Sequence, residues 1–122
     1  MQALIVDDSR TTRRLIGDIM RALNFDVIEA CDGQVALERL TEMGTADVVL
    51  VDWNMPVMNG LEFVKALRAN PAYVNVPLLM VTTETEMDQV SLAFKAGVNE
   101  YLMKPFDADM VRSKLSWIGI GD

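Results

Sequence analysis

The sequence predicts an α/β fold: a five-stranded parallel sheet, doubly wound, with helices on both faces in a three-layer sandwich. Short apolar runs alternate with segments whose apolar residues recur at helical spacing, five times along the chain. Some of these runs are apolar throughout, which is typical of strands buried on both faces. The 122 residues contain no linker, repeat or low-complexity stretch, so one domain spanning 1–122 is predicted.

The strand-like runs differ in how completely apolar they are. The first, third and fourth are continuously apolar and should be central, whereas the second alternates and should lie nearer an edge. In chain order the runs are ALIV at 3–6, FDVIEA at 25–30, DVVLVD at 47–52, VPLLMVTT at 76–83 and NEYLM at 99–103.

Each run is followed by apolar residues three or four positions apart, and each such pattern predicts a helix with one apolar face. Glycine and proline mark the joins. Right-handed crossovers between parallel strands distribute such helices over both sides of a sheet. The five faces are Leu15, Ile16, Ile19, Met20 and Leu23; Leu37, Leu40 and Met43; Leu61, Val64, Leu67 and Arg68; Val90, Ala93, Phe94 and Gly97; and Val111, Leu115 and Ile118.

Composition restricts the classes of function. The net charge of −7 argues against nucleic acid or an anionic membrane as a partner, since both require basic patches. No stretch approaches the roughly 20 apolar residues of a membrane span, and no signal peptide is recognisable. The single cysteine, Cys31, cannot form an internal disulfide, so a cytoplasmic location is expected and Cys31 itself should be a small buried residue. The chain has no histidine, which excludes histidine-based catalysis and histidine metal ligands.

Polar residues follow four of the predicted strands. In sheets of this kind, ligands bind beyond the carboxyl ends of the strands, so the side chains found there should be considered together. They are Asp7 and Asp8 after the first strand, Asp52 after the third, Thr82 and Thr83 after the fourth, and Lys104 and Pro105 after the fifth.

Three carboxylates in one pocket repel each other unless cations lie among them. Lys104 supplies one positive charge and a divalent metal would supply two more, and an all-oxygen ligand set favours a hard ion such as Mg²⁺. A carboxylate such as Asp52, beside a metal and a lysine, is suited to attack phosphorus and form an aspartyl phosphate. Simpler interpretations stay open: Asp7 and Asp8 as helix caps, and Asp52 either as a strand-end turn residue or as a salt-bridge partner of Lys104.

The segments LIVDDS, VLVDWNMPVMNG, MVTTE and YLMKPF closely resemble the receiver domain of two-component response regulators, over essentially the whole chain. The motif DWNMP and the tyrosine of YLMKPF are most similar to the single-domain chemotaxis type. The resemblance implies a flavodoxin-like sheet with strand order 2-1-3-4-5. It also implies a monomeric response regulator that accepts a phosphoryl group from a partner sensor histidine kinase.

The resemblance assigns roles to the acidic residues. It implies that Asp52 is the phosphoacceptor and that Asp7 and Asp8 hold Mg²⁺. Asp8 and Asp52 would be direct ligands, Asp7 would act mainly through water, and the backbone carbonyl of Asn54 would be the third protein ligand. The Lys104–Pro105 peptide bond is expected to be cis, an isomer that is accessible mainly before proline.

The resemblance assigns further roles outside the acidic residues. Thr82 and Lys104 would contact the phosphoryl group, and Tyr101 would turn inward as Thr82 moves toward it. Asn54 and Glu84 occupy the two positions that tune how fast water removes the phosphoryl group, and both match the chemotaxis type, so a short-lived phosphorylated state is expected. The only enzymology implied is slow self-phosphorylation and autodephosphorylation.

The output surface implied by the resemblance is formed by the fourth helix, the fifth strand and the fifth helix. Members of the chemotaxis type usually carry a basic residue near the start of the fourth helix, where the flagellar motor switch binds. Here TETEMDQV at 83–90 is acidic and places Met87 at that position, although Lys114 in the last helix matches. The departure argues for a different output partner.

Three other functions fit the sequence less well. A phosphotransfer hydrolase would carry a second aspartate where Asn54 stands, and asparagine cannot act as the general acid. A flavodoxin-like electron carrier would bind a phosphate after the first strand, where DDSRTTRR has two carboxylates. A receiver that signals by association alone would not need the full set of acidic and basic residues. A receiver in a phosphorelay, or excised from a larger regulator, remains the alternative.

Overall fold

The computed structural model describes residues 1–83 and 87–120, with residues 87 and 88 described by their backbone only. Within these ranges, strands and helices alternate, and a 3₁₀ turn at Pro71–Tyr73 precedes the fourth strand. No helix among these residues has the length and apolar character that crossing a bilayer demands. The strands are β1 (Gln2–Val6), β2 (Asp26–Ala30), β3 (Val48–Val51), β4 (Leu78–Thr82) and β5 (Glu100–Met103); the helices are α1 (Arg10–Ala22), α2 (Gly33–Met43), α3 (Gly60–Ala69), α4 (Met87–Ala96) and α5 (Ala108–Trp117).

The strands form a single parallel sheet in the order β2-β1-β3-β4-β5, which confirms the predicted fold class and strand order. Every residue of β3 and β4 is buried, whereas β2 lies at an edge and keeps exposed positions. Val6 pairs with Val51 and Val51 with Met80, so β1, β3 and β4 end at nearly the same level. This register brings the residues that follow these strands to one edge of the sheet.

The sheet divides the apolar core into two layers. One layer packs the sheet against α2, α3 and α4, and the other packs it against α1 and α5. Adjacent strand residues alternate between the layers: Leu4 and Val49 belong to the first, and Ile5 and Leu50 to the second. Each fully buried side chain of this size contributes about 1.5–3 kcal/mol by leaving water.

Three residues expected to be buried are exposed. Leu15 is 53 % exposed because the buried stripe of α1 runs through Ile16 and Met20, one residue further around the helix. Phe94 is 42 % exposed for the same reason, since its neighbour Ala93 occupies the inward position. Cys31 is exposed because it lies in the turn between the end of β2 and the start of α2.

The residue that caps α1 is neither Asp7 nor Asp8, so both aspartates remain available for other contacts. Ser9, not Asp7 or Asp8, is the N-cap of α1, and its hydroxyl accepts the N–H of Thr12. This observation removes the interpretation of the two aspartates as helix caps. The N-caps of α2, α3 and α5 are Asp32, Asn59 and Asp107.

Candidate functional site

Three carboxylates meet beyond the carboxyl ends of β1 and β3. Asp7, Asp8 and Asp52 each offer an oxygen, and these oxygens lie within 4.8 Å of one another. Asp7 is 1 % exposed and Asp52 is 7 % exposed, whereas Asp8 faces solvent. The N–H of Asp52 donates to the carbonyl of Val6 at 2.9 Å, which continues the β1–β3 pairing up to the cluster.

Lys104 follows β5 and reaches into the same cluster. Its Nζ lies 3.0 Å from Oδ2 of Asp7 and 3.6 Å from Oδ2 of Asp52, and its side chain is 20 % exposed. The Lys104–Pro105 peptide bond is cis, as expected. We call the group formed by Asp7, Asp8, Asp52 and Lys104 the acidic site. It contains three carboxylates and one ammonium group, an excess of two negative charges.

The environment of Asp52 disfavours its negative charge. Burial raises the pKa of its carboxyl group, and repulsion by Asp7 raises the pKa further. Lys104, a hydrogen bond from the Thr82 side chain and the N–H of Trp53, which lies 2.8 Å from Oδ1, act in the opposite direction. Because burial and repulsion prevail, another cation at this place would stabilise the ionised form of Asp52.

The donor set and the surrounding space fit a hard divalent cation. The clustered ligand atoms are all carboxylate oxygens, which Mg²⁺ prefers over nitrogen and sulfur. An open cavity of about 460 Å³ adjoins the exposed Asp8 and is lined also by Asn54, Met55, Pro56 and Asn59. The excess of two negative charges equals the charge of such an ion.

The start of α3 is fitted closely against the end of β3. A Cβ atom at Gly60 would lie 2.1 Å from the carbonyl oxygen of Asp52, so only glycine is accommodated there. The N–H of Gly60 donates to the carbonyl of Trp53 at 2.9 Å. The apolar periodicity of this segment does not predict the close contact; the signal that could have revealed it is the Asn59-Gly60 pair directly before an apolar helix.

The remaining site residues named from the sequence lie at different depths. Thr82 is fully buried at the end of β4, with its side chain bonded to Asp52. Tyr101 is half-buried on β5 and packs against the core layer formed by α2, α3 and α4. Asn54 is exposed beside the cavity. Glu84 and the side chain of Met87 lie outside the described residues.

Comparisons with known proteins show which family this chain resembles. The profile of the family described as "Response regulator receiver domain" matches residues 3–116. A chemotaxis protein CheY homolog of Campylobacter jejuni is 47 % identical over 116 residues, which cover 94 % of this chain and 89 % of the relative. The chemotaxis protein CheY of Pseudomonas aeruginosa is 44 % identical over 119 residues, which cover 97 % of this chain and 95 % of the relative.

A solved structure matches the whole fold. The chemotaxis protein CheY4 of Vibrio cholerae superposes with a TM-score of 0.90 at 35 % identity, covering 96 % of this chain and 97 % of the other. The similarity therefore extends over nearly the whole of both folds.

Proposed function

The chain belongs to the response regulator receiver family, and we propose that it is a phosphorylation-controlled switch of the chemotaxis type with Asp52 as phosphoacceptor. The observation that carries this proposal is the position of Asp52, which is buried between the ammonium of Lys104 and the hydroxyl of Thr82. The relatives named chemotaxis proteins CheY, matched over most of their length, support the chemotaxis assignment.

The proposed reaction is phosphoryl transfer to a carboxylate. An oxygen of Asp52 forms a bond to phosphorus while the bond from phosphorus to the donor breaks. The donor is a phosphohistidine of a sensor kinase or a small acyl phosphate, and it keeps the electron pair of the broken bond. Lys104 and Thr82 would each contact a phosphoryl oxygen as negative charge develops on it.

Asp7, Asp8 and Asp52 would hold Mg²⁺, together with the backbone carbonyl of Asn54. When bound, the ion would neutralise the negative charge of the phosphoryl oxygens and the excess negative charge of the carboxylates. The two oxygens of Asp7 already accept the N–H of Ser9 at 2.8 Å and Lys104 at 3.0 Å. These contacts support an indirect role for Asp7, through water. The exposure of Asp8 beside the open cavity supports a direct role for its carboxylate.

The aspartyl phosphate would bias a two-state equilibrium. Thr82 would exchange its bond to Asp52 for a phosphoryl oxygen, and Tyr101 on the neighbouring strand would turn into the space that this movement opens. The altered surface would comprise α4, β5 and α5. Asn54 and Glu84 would set the rate at which water removes the phosphoryl group, and we expect a short-lived phosphorylated state.

The output partner is proposed only as a protein that reads the α4–β5–α5 surface. Lys114 on this surface is bonded to Glu100 at 3.2 Å and lies 5.4 Å from the ring centre of Trp117, so a partner that needs its charge must compete with Glu100. The reason to doubt the flagellar motor switch as this partner is the sequence at the start of the fourth helix, where Met87 replaces the usual basic residue. The cytoplasmic location also stays a prediction.

Intact mass spectrometry after incubation with acetyl phosphate tests the proposed chemistry. We expect the wild-type chain to gain one phosphoryl group only when Mg²⁺ is present. The matched variant Asp52→Asn should gain none under the same conditions. A folded wild-type chain that gains no mass with Mg²⁺ would contradict the proposal and favour a receiver that signals by association alone.

A further inference from the structure

The peptide that joins Asp7 to Asp8 determines the geometry of the acidic site. Consecutive side chains of an extended strand point to opposite sides. The carboxylates of Asp7 and Asp8 nevertheless lie in the same 4.8 Å cluster, and the chain bends at Asp8, just beyond β1. The orientation of this single peptide therefore decides whether both carboxylates face one point.

Arg13 holds that peptide. Its Nη1 donates to the carbonyl oxygen of Asp7, the oxygen of the peptide in question, at 2.7 Å. Its Nε donates to Oε1 of Glu29, in the edge strand β2, at 3.1 Å, and its side chain is only 16 % exposed. The N–H of Asp7 donates to the carbonyl of Ala30 at 3.1 Å, so Asp7 is fixed from both sides of its backbone.

We propose that Arg13 is a positioning residue for the metal-binding carboxylates, acting through the Asp7–Asp8 peptide and held in place by Glu29. The inference rests on the proposed function and identifies a residue that prepares its metal site. Charge-assisted hydrogen bonds from a guanidinium to oxygen are short and directional, which suits Arg13 to fix a peptide plane. Arg13 therefore belongs to the outer layer of contacts that orients metal ligands.

The two conceivable effects of Arg13 on metal binding have opposite signs. As a positive charge near the site, Arg13 repels a cation, and its removal should tighten binding. As the residue that orients Asp7 and Asp8, it assists binding, and its removal should weaken it. Arg14 is the matched control, because it lies next in α1, carries the same charge and is exposed.

Isothermal titration with Mg²⁺ at fixed ionic strength distinguishes these effects. We expect Arg13→Gln to weaken Mg²⁺ binding on the order of tenfold, the usual range for residues that orient metal ligands. Arg14→Gln should change the affinity by less than about twofold, toward tighter binding, because exposed charges are screened by salt. The Mg²⁺ affinity of Arg13→Lys should lie between those of Arg13→Gln and the wild type. Lysine keeps the positive charge but lacks the planar guanidinium that bonds to the Asp7 carbonyl and to Glu29 together.

A second readout separates positioning from general damage to the fold. At saturating Mg²⁺, the rate of phosphorylation by acetyl phosphate in Arg13→Gln should return to near the wild-type rate, because Asp52, Thr82 and Lys104 are unchanged. Should Arg13→Gln fail to fold, Glu29→Gln provides the test, since it leaves Arg13 in place and weakens its support. Asp26→Asn, which removes one negative charge from an exposed position of the same strand, shows how much of any change is due to charge alone. We expect Glu29→Gln to bind Mg²⁺ about two- to threefold more weakly, a fraction of the full positioning effect.

The outcomes separate this inference from the proposed function. If Arg13→Gln binds Mg²⁺ as tightly as Arg14→Gln, or if Arg13→Gln is unfolded and Glu29→Gln is unaltered, the positioning role is overturned. In both cases the proposed function stands if the wild-type chain binds Mg²⁺ and is phosphorylated. A wild-type chain that binds no Mg²⁺ overturns the metal site and the role of Arg13 together.

Discussion

A partly buried cation lies at each end of the sheet, and the two cations have different partners. At the amino end, Arg68 donates five hydrogen bonds of 2.8–3.1 Å, all to neutral oxygens. At the carboxyl end, Lys104 contacts two carboxylates, at 3.0 and 3.6 Å. The acceptors of Arg68 are the carbonyls of Gly97, Tyr73 and Val74 and the side chain of Asn99.

The two ends of the sheet differ in whether their charges contribute to stability or to binding. Arg68 connects α3 to the segments before β4 and β5, and burial lowers its pKa because the neutral oxygens it contacts do not offset the loss of water. At the acidic site, burial raises the pKa of Asp52 and an excess of negative charge remains. We infer that the amino end stabilises the fold, whereas the carboxyl end is left ready to take up cations and a phosphoryl group.

The largest effect that would sharpen this comparison is expected at Lys104. Lys104→Gln should slow phosphorylation by acetyl phosphate at saturating Mg²⁺ by about 10²- to 10³-fold, as the loss of a preorganised group that stabilises developing charge does elsewhere. Single-turnover phosphorylation, followed by intact mass, measures this rate. A loss of less than about tenfold in folded protein would mean that Lys104 is a counter-ion only.

Arg68→Gln should have the opposite profile. Its free energy of unfolding should fall by about 2–3 kcal/mol, because the partly buried carbonyls of Gly97 and Tyr73 lose their donor. The phosphorylation rate of the folded protein should stay at the wild-type value. Urea denaturation and the same mass assay measure both quantities, and a slowed reaction in folded Arg68→Gln would break the proposed separation between the two ends.

Asp52→Asn should stabilise the metal-free fold by about 1 kcal/mol at neutral pH, a typical magnitude for one substitution. The raised pKa means that the folded state binds the Asp52 proton more tightly than the unfolded chain. The free energy of unfolding of the wild type should therefore fall as the pH rises above about 4, where an ordinary carboxyl group ionises. The stability advantage of Asp52→Asn should grow as the pH rises through this range.

Urea denaturation at several pH values, with and without Mg²⁺, measures this dependence. Added Mg²⁺ should reduce or reverse the advantage of Asp52→Asn, because the ion stabilises the folded wild type by binding to it. An advantage that does not depend on pH, or that Mg²⁺ leaves unchanged, would show that the charge of Asp52 is not what destabilises this end of the sheet.

The smallest effect is expected from backbone conformation. Beside the acidic site, the exposed Val57 adopts a φ of 66°, whereas at the amino end the positive φ of 119° belongs to Gly97. A β-branched residue is strained in this conformation and asparagine tolerates it, so Val57→Asn should raise the free energy of unfolding by up to about 1 kcal/mol. Thermal denaturation measures the change, and Gly97→Ala, expected to destabilise, is the control from the other end.

Apolar periodicity and the residues that follow the strands were enough to predict which strands are central and which side chains meet. Continuous apolar runs predicted the central β1, β3 and β4, and residues that follow parallel strands were expected to meet. That reasoning predicted the neighbourhood of Asp7, Asp52 and Lys104, although their roles stay proposals. The strand order came from the family resemblance.

Features that depend on contacts between distant segments were not predictable. Spacing alone predicts Arg68 as the last member of an apolar helix face, whereas its hydrogen-bond acceptors lie up to 31 positions away along the chain. The exposure of Leu15 depends on how α1 is rotated against the sheet, which spacing alone does not determine. The bonds of Arg13 to Asp7 and Glu29 likewise become visible only in the folded chain.

The central claim, that Asp52 receives the phosphoryl group, is tested most directly by trapping the product. Borohydride reduces an acyl phosphate to an alcohol, so the phosphorylated chain should yield homoserine at its modified aspartate. Tandem mass spectrometry then identifies the position. We expect homoserine at position 52, only in samples that held both acetyl phosphate and Mg²⁺. Homoserine at position 7 or 8 instead, or phosphorylated protein without any homoserine, would contradict the claim.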